Sequence, residues 1–459
     1  MKRDALDLGE MNVPALFKMY FIPTLLGMLS MAAVTAIDGI FVGHGVGSDG
    51  IAAVNLCIPL LMIFTGFGLM LGIGSSVAAS IHLSQNREKA ARINTTQALW
   101  FSTIVTALAV AAIMIWPYGT AQLLGASDNL APMVVSYLLW FAPSLLFQIW
   151  LSLSLFIIRL DGAPQYAMWC NVAAAALTVI SGWIFIFPMN LGVMGAALAA
   201  TIATAIGGLM GIFYILFKAR KLRFIAIKTS MKSLRLSARN IGYQCKIGSS
   251  ALLGEATLAM LMFIGNQVFM KYLGDDGVGA FGIACYYAPF VFMVGNAIAQ
   301  SAQPILSYNY GKNLKDRVLQ TEKLALRTAL LCGIAVTLLF NLCPDWLVEL
   351  FLPLDNTAAK IAVAGLPLFS FGFICFIINL TAIGYFQSLE KIGAATVFAL
   401  MRGLIVLVPA FYILPMFFGD KGIWLAMPAS EIITSLCILV YYLLNRNRKS
   451  DASEARNAA

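Results

Sequence analysis

The chain has 459 residues, of which 60% are hydrophobic and 11% charged, and its formal net charge at pH 7 is +9. Soluble domains carry about a quarter charged residues, so this composition excludes an ordinary cytosolic enzyme and indicates a polytopic membrane protein. The basic residues lie between apolar stretches, which favours a role in membrane orientation over a nucleic-acid partner. The eight cysteines form no C-x-x-C pair, so we expect no disulfide framework, zinc site or other metal site.

Twelve apolar runs of about 20 residues or more are long enough to cross a bilayer as helices. In the first half they are Ile22–Val42, Ile51–Ile81, Gln97–Trp116, Met133–Ile158, Tyr166–Phe187 and Gly192–Phe217. In the second half they are Ile247–Met270, Val278–Leu306, Ala325–Cys343, Ile361–Phe386, Ile392–Phe418 and Ile423–Leu444. We therefore predict an all-α integral membrane protein with twelve transmembrane helices.

A basic connector, Lys218–Lys246, separates the two sets of six runs. It contains nine Lys or Arg residues and no acid. If the N-terminus lies inside the cell, the inside segments hold 26 of the 30 Lys and Arg residues, a strong positive-inside pattern. Both termini and the connector are therefore expected in the cytoplasm, with the connector against the membrane or, alternatively, as a simple solvated linker. The sequence predicts a multi-pass protein of the plasma (inner) membrane of a bacterium.

The two halves are copies of each other at an offset of 227 residues. The matched pairs are Gly47 and Gly274, Asp49 and Asp276, Gly50 and Gly277, Asn86 and Asn313, Pro117 and Pro344, Asp128 and Asp355, Asn129 and Asn356, Pro188 and Pro415, and Gly195 and Gly422. Because each copy has an even number of spans, the copies share one orientation and form two six-helix bundles related by a pseudo-twofold axis along the membrane normal. This layout is typical of a transporter.

The predicted domains follow this repeat. They are an N-lobe at 1–217, a basic cytoplasmic linker at 218–246, a C-lobe at 247–445 and a cytoplasmic tail at 446–459.

Five short motifs stand in a fixed order along this duplicated chain. They are DGIFVGHG at 38–45, the stretch 72–86 that begins GIGSS, RLDGAP at 159–164, GVMGAA at 192–197 and QPILSYNYG at 303–311. Together they resemble the multidrug and toxic compound extrusion (MATE) family over nearly the whole chain, and the last of them resembles its MepA-like branch in particular. The resemblance implies a cation-coupled antiporter without enzymatic activity, which exports drug-like, often cationic compounds as a proton or Na+ enters.

Two carboxylates within predicted spans are the leading candidates for cation or proton coupling, because charged groups inside a membrane are expensive and usually functional. Asp38 lies near the outer end of the first span, and Glu255 lies about 12 Å into the seventh. Both match acidic positions that the resemblance implies. The alternative for each is a solvated side chain. Their counterparts at the 227-residue offset are Gly265 and Met28, so the two sites are not symmetric copies.

Arg402 and Glu431 in the last two spans are expected to form an intramembrane ion pair, with a role in proton or substrate handling as the alternative. The family pattern fails in two places. The fifth and tenth spans contain no acid, which favours proton over Na+ coupling.

Amides, Met and Tyr residues within the spans are candidates for a polyspecific substrate cavity, since Met repacks easily and aromatic faces attract cations. These residues are Met31, Gln148, Asn171, Asn266, Tyr286, Tyr287, Asn296, Gln300, Gln303 and Asn379. Asn296, Gln300 and Gln303 share one helix face, where amides either hold helices together or line a cavity.

The expected partners are small organic cations and the lipid bilayer, for a monomer with no cofactor beyond its coupling ion, H+ or Na+. A lipid-linked sugar flippase is the alternative transporter, but the spans hold only Arg402 where several Arg residues would be expected. An intramembrane enzyme is disfavoured because no histidine lies in mid-membrane and no G-x-S-x-G elbow occurs.

Overall fold

The computed structural model describes residues 7–226 and 230–457. The ends of the predicted N-terminal and C-terminal tails, 1–6 and 458–459, and residues 227–229 of the connector lie outside the described residues. Within the described part the chain is α-helical with short π-helical turns and no strand. Twelve of its helices are long and apolar enough to span a membrane, so the predicted fold class is confirmed.

The twelve spans are numbered in chain order. They are Val13–Gly45, Ala52–Ser84, Glu88–Ile115, Ala131–Leu160, Pro164–Ile186, Gly192–Lys218, Met231–Gly274, Asp276–Gly311, Lys315–Leu342, Thr357–Ser388, Ile392–Phe418 and Asp420–Leu444. The helix of the second span begins at Ser48, and that of the twelfth continues to Asn457.

The backbone repeats the special conformations that the sequence repeat predicts. Asn86 and Asn313, which follow the second and eighth spans, both have a left-handed φ, of 58° and 57°. Gly47 and Gly274 precede the same two spans, with φ of 94° and 64°. Asparagine and glycine are the residues that tolerate this region, so the turns on both sides of these spans are built alike in each half.

Two short helices between spans also repeat. Pro117–Leu123 and Pro344–Glu349 start 227 residues apart, and each has proline in its first turn. Proline is favoured there because its fixed φ suits a helix and its missing N–H has no intrahelical partner. The two prolines align in the sequence repeat, but the helices that follow them are not predictable, because runs of six or seven residues carry little periodicity.

The basic connector differs from the prediction. The seventh-span helix begins at Met231, where the Ser230 hydroxyl caps it by accepting a hydrogen bond from Ser233 N at 3.3 Å, and not at Ile247. The second part of the connector is therefore a polar extension of this helix. A helix outside the bilayer needs no apolar run, so hydropathy could not place its start.

Asp161 holds the preceding, non-helical part of the connector. Its carboxylate accepts hydrogen bonds from the backbone N–H groups of Arg220, Lys221 and Leu222, at 2.9, 2.8 and 3.1 Å, and from the Tyr214 hydroxyl at 3.0 Å. The chain beyond the sixth span is thus anchored at the end of the fourth.

The chain divides into two compact units. The first unit contains Met1–Ala256, Gln300–Leu324 and Tyr385–Ile392, and the second contains Thr257–Ala299, Ala325–Gly384 and Gly393–Ala459. These units follow packing, whereas the predicted lobe boundaries at 217 and 247 follow the sequence repeat and stay a prediction. In the first unit the fourth span is central, with buried side chains along its length that pack against the second, third and sixth spans.

An aromatic cluster forms the core of the second unit. Phe269 and Phe281 stack with their centroids 4.4 Å apart, and Trp424 lies edge-on to Phe269 at 4.8 Å. Gly265 packs directly against the Phe281 ring, so the cluster occupies the space that a side chain at 265 would need. Gly265 is the repeat counterpart of Asp38, and this packing leaves no space for an acidic side chain at 265.

Candidate functional site

Asp38 lies in the first span where that span meets the fifth and sixth. A Cβ placed on Gly182 of the fifth span would lie 3.9 Å from Asp38 Oδ1, 3.9 Å from Ala199 of the sixth span and 3.5 Å from Phe41. The absence of a side chain at Gly182 therefore leaves space in front of the carboxylate. Asp38 is half-buried, and no described residue donates a hydrogen bond to it or pairs with its charge.

The first and fifth spans stay in contact over about three helical turns. Gly27 packs against Asn171, whose Nδ2 would lie 3.2 Å from a Cβ at 27. Asn171 and Gly182 are eleven residues apart, as are Gly27 and Asp38, so both contacts lie on the same faces of two parallel helices. Asn171, predicted for the substrate cavity, is buried in this contact at 7% exposure.

Glu255 is the second carboxylate without a partner. It is buried, at 7% exposure, in the part of the seventh span that belongs to the first unit. Gly66 of the second span allows close packing there, because a Cβ at 66 would lie 3.5 Å from Glu255 Cβ. No ion pair or hydrogen bond from the described residues reaches this carboxylate. A buried ionised carboxylate without compensation is costly, so such a group binds a proton, a cation or water.

Glu431, in the second unit, has the opposite environment. Its Oε1 accepts hydrogen bonds from Arg402 Nη2 at 2.8 Å and Nε at 3.0 Å, and its Oε2 accepts one from Asn379 Nδ2 at 2.7 Å. The Arg402 guanidinium also lies over the Phe376 ring, 4.2 Å from its centroid. The structure thus brings together the two residues that the sequence analysis paired, both about 2% exposed.

Asn379 was predicted to line a substrate cavity, but its side chain is fully buried and committed to this network. Its Nδ2 donates to Glu431, and its Oδ1 accepts a hydrogen bond from the Ser435 hydroxyl at 2.7 Å. The tenth span thus contributes an amide that satisfies the second carboxylate oxygen of Glu431.

Two of the three amides on the eighth span also bond to other helices. Gln300 Oε1 accepts a hydrogen bond from Arg159 Nη1 at 2.6 Å, and Gln303 Nε2 donates to the Ser76 hydroxyl at 3.2 Å. The structure favours the interhelical role for these two. Asn296 is half-buried, and no described residue forms a hydrogen bond with it.

Arg159 is a buried residue that the sequence analysis missed. It stands at the end of the fourth span with 3% exposure, forms no ion pair with a described acid, and its Nε has no hydrogen-bond partner in the described part of the chain. The Phe156 ring, 5.1 Å away, and Gln300 are its main support. Its place in the RLDGAP motif was the signal available, but the positive-inside count treated it as a solvated charge.

The other residues predicted for the cavity are distributed over both units. Met31 and Gln148 are half-buried, and Asn266 is exposed at the surface of its unit. The Tyr287 hydroxyl donates to Leu347 O at 2.8 Å, and the Tyr286 ring stacks with Phe351 at 5.3 Å. The two tyrosines thus support the short helix at 344–349 and the turn after it.

A duplicated twelve-span helical fold is typical of a membrane transporter. A MatE family model matches residues 23–184 and 251–413, one segment in each half. The chain therefore belongs to the MatE family, whose relatives are named as export proteins and not as enzymes.

Known relatives cover almost the full chain. The Multidrug export protein MepA of Staphylococcus aureus strain N315 is 23% identical over 446 residues, which is 95% of each chain. The Multidrug export protein MepA of Staphylococcus saprophyticus is 23% identical over 445 residues, with the same coverage.

Solved structures share the fold. An outward-facing multidrug resistance MATE family transporter of the MOP superfamily matches with a TM-score of 0.88 and 19% identity, covering 99% of this chain and 100% of that one. A Pyrococcus furiosus MOP superfamily transporter, described by a reversed polarity of its binding pocket, matches with a TM-score of 0.87 and 17% identity, covering 97% and 98%. At these identities the likeness shows the fold, and the substrate has to be argued from the residues.

Proposed function

We propose that this protein exports drug-like, often cationic compounds in exchange for an inward-moving cation, by alternating access. The observation that carries the proposal is the contrast among three intramembrane carboxylates. Glu431 is fully compensated by Arg402 and Asn379, whereas no described residue compensates Asp38 or Glu255. An uncompensated carboxylate in a span is a binding group for a cation or a proton.

The proposed coupling ion is the proton. A hard metal cation requires several oxygen ligands, and the fifth and tenth spans contain no acid that could supply more of them. A proton needs only one carboxylate. Protonation from outside would neutralise the site and weaken its hold on a cationic substrate. Release of the proton inside would reset it, so each ligand favours a different state.

The MepA relatives, named for multidrug export, support the substrate class. The Lys and Arg distribution supports cytoplasmic termini, and the Staphylococcus relatives support a location in the plasma (inner) membrane of a bacterium. We propose that the transporter acts as a monomer, since each chain carries both repeats and both carboxylates.

Efflux from proteoliposomes tests the proposal, with a proton gradient and a Na+ gradient imposed separately. We expect the proton gradient alone to drive export of an organic cation such as ethidium. The Asp38→Asn variant mimics the neutral form permanently, so it should bind ethidium weakly and lose gradient-driven export. Glu255→Gln should slow transport or change its ion dependence.

Asp128→Asn is the matched control, because it makes the same chemical change at an exposed position outside the spans. It should transport as the wild-type protein does. Normal proton-driven efflux by Asp38→Asn would contradict the mechanism, and efflux driven only by Na+ would replace the proton as the coupling ion.

A further inference from the structure

The first part of the seventh-span helix, Met231–Lys246, presents two different polar faces. Ser237, Asn240 and Gln244 recur at i, i+3 and i+7, and so do Lys232, Arg235 and Arg239. At 100° per residue these two stripes lie about 140° apart around the helix. We call Lys232, Arg235 and Arg239 the basic strip.

The first stripe fixes the helix to the third span. Gln97 Nε2 donates to the Ser237 hydroxyl at 2.7 Å, and Asn240 Nδ2 donates to Gln97 Oε1 at 3.1 Å. One turn further, Gln244 Nε2 donates to Asn94 Oδ1 at 2.9 Å. These bonds fix the rotation of the helix about its own axis. The fold therefore determines the direction in which the basic strip points.

The basic strip itself has no protein partner. All three side chains are exposed, and no described residue forms an ion pair or a side-chain hydrogen bond with them. Exposed apolar side chains flank the strip, since Met231 and Leu236 have 84% and 57% of their surface accessible. A helix that combines unpaired cations with exposed apolar residues is typical of a membrane interface.

The height of the strip fits the headgroup layer. Gly74 of the second span packs against Gln244, and the second and seventh spans cross the membrane in opposite directions. The apolar run of the second span ends at Ile81, about 10 Å beyond Gly74, and this end marks the edge of the hydrocarbon region. Arg239 and Arg235 lie about 7 and 13 Å from Gln244 in the same direction, so they stand on either side of that edge, at the depth of the inner-leaflet phosphate groups.

We propose that the basic strip binds anionic phospholipid headgroups of the inner leaflet. Charge complementarity selects the partner, because three cations without any acid between Lys218 and Lys246 match a negatively charged surface and not a zwitterionic one. The inference rests on the cytoplasmic orientation given under the proposed function. It does not depend on the coupling ion or on the exported compound.

Native mass spectrometry of the purified full-length protein in detergent tests the proposal, with phosphatidylglycerol and phosphatidylcholine titrated separately. The wild-type protein should retain phosphatidylglycerol in preference to phosphatidylcholine. Replacing Lys232, Arg235 and Arg239 by Gln should weaken this binding about fivefold per charge, or on the order of a hundredfold in all. Raising the salt concentration should also weaken phosphatidylglycerol binding by the wild-type protein.

The matched control is a triple variant, Lys271→Gln, Lys360→Gln and Lys421→Gln, which removes three lysines from the side of the membrane expected outside the cell. It should retain phosphatidylglycerol. Lys substitutions at Arg235 and Arg239 keep the charge and should retain it too. Equal binding by the wild type and the basic-strip variant would overturn the proposal. So would equal loss in the control, or tighter binding of an RNA oligonucleotide than of lipid. Ethidium efflux, measured in parallel, reports separately on the proposed function.

Discussion

Ser76 and Gln303 occupy the same position in the two sequence repeats, 227 residues apart, and they hydrogen-bond to each other. Gln303 Nε2 donates to Ser76 Oγ at 3.2 Å, inside the first unit. Eight residues further along both helices, Ser84 and Gly311 are again 227 apart and in contact. The second span and residues 303–311 of the eighth span therefore pack side by side over about 12 Å within the first unit.

The contact between Ser76 and Gln303 predicts a conformational lock. If transport alternates access, the inside ends of these two spans have to separate during the cycle. In a Cys-free background, Ser76→Cys with Gln303→Cys should be joined by a short bifunctional thiol reagent, and efflux should then stop. Each single variant with the same reagent is the control and should keep transporting. Undiminished efflux by the cross-linked protein would show that the spans stay together.

The buried Arg159 makes a second prediction, about stability. Gln300→Leu removes the side-chain oxygen that accepts from its guanidinium, and a hydrogen bond to a charged group contributes about 1.5–3 kcal/mol. We expect a lower midpoint of thermal unfolding in detergent. Gln300→Glu should raise it, because it supplies the missing counter-charge. Asn296→Leu, one turn away, is the control and should change the midpoint little. A similar loss in both Leu variants would assign the effect to general packing.

Arg402 and Glu431 should depend on each other for folding. Reversing either charge alone leaves a buried like-charge pair, and breaking a buried ion pair costs about 3–5 kcal/mol. Arg402→Glu and Glu431→Arg should each reduce the amount of folded protein in the membrane, measured by fluorescence-detected size exclusion. The double variant should recover part of it. Normal accumulation of both single variants would mean that the pair contributes little to stability.

The orientation of the connector gives a fourth prediction. A cysteine at Ser233, introduced into a Cys-free variant, should resist membrane-impermeant thiol reagents in intact cells and react after the cells are opened. The reason is the positive charge of the connector, which keeps it inside. A cysteine at Lys360, an exposed position in the first turn of the tenth span, is the control and should react in intact cells. Labelling of Ser233→Cys from outside would invert the topology.

The number of spans and the repeat could be predicted from the sequence. Both follow from hydropathy and from residue identities at a fixed offset, and neither requires knowledge of side-chain contacts. Asn86 and Asn313 could be aligned, and their left-handed turns follow from the residue type. The environment of each charge could not be predicted in the same way. Arg159 and Lys89 look alike in a count of positive residues, and only packing shows that Arg159 is buried.

The candidate site shows the same limit. Asp38 was identified from its charge in an apolar span, but the feature that opens space beside it is Gly182, about 140 residues away. One glycine in an apolar helix gives no signal of what it faces. Likewise, Gly265 was known as the counterpart of Asp38, but the Phe281 ring that fills its surroundings depends on tertiary packing.

Gly182 therefore provides the most direct test of the Asp38 site. Gly182→Ala places a Cβ at 3.9 Å from Asp38 Oδ1 and 3.5 Å from Phe41, which are ordinary contacts, so the variant should fold and transport normally. Gly182→Leu fills the space in front of the carboxylate and should lower proton-driven ethidium efflux at least tenfold while leaving the unfolding midpoint within a few degrees. Gly393→Leu, where a side chain would meet nothing within 4 Å, controls for adding the same side chain elsewhere and should transport normally. Wild-type efflux by Gly182→Leu would show that the space beside Asp38 is not used by the substrate or the proton.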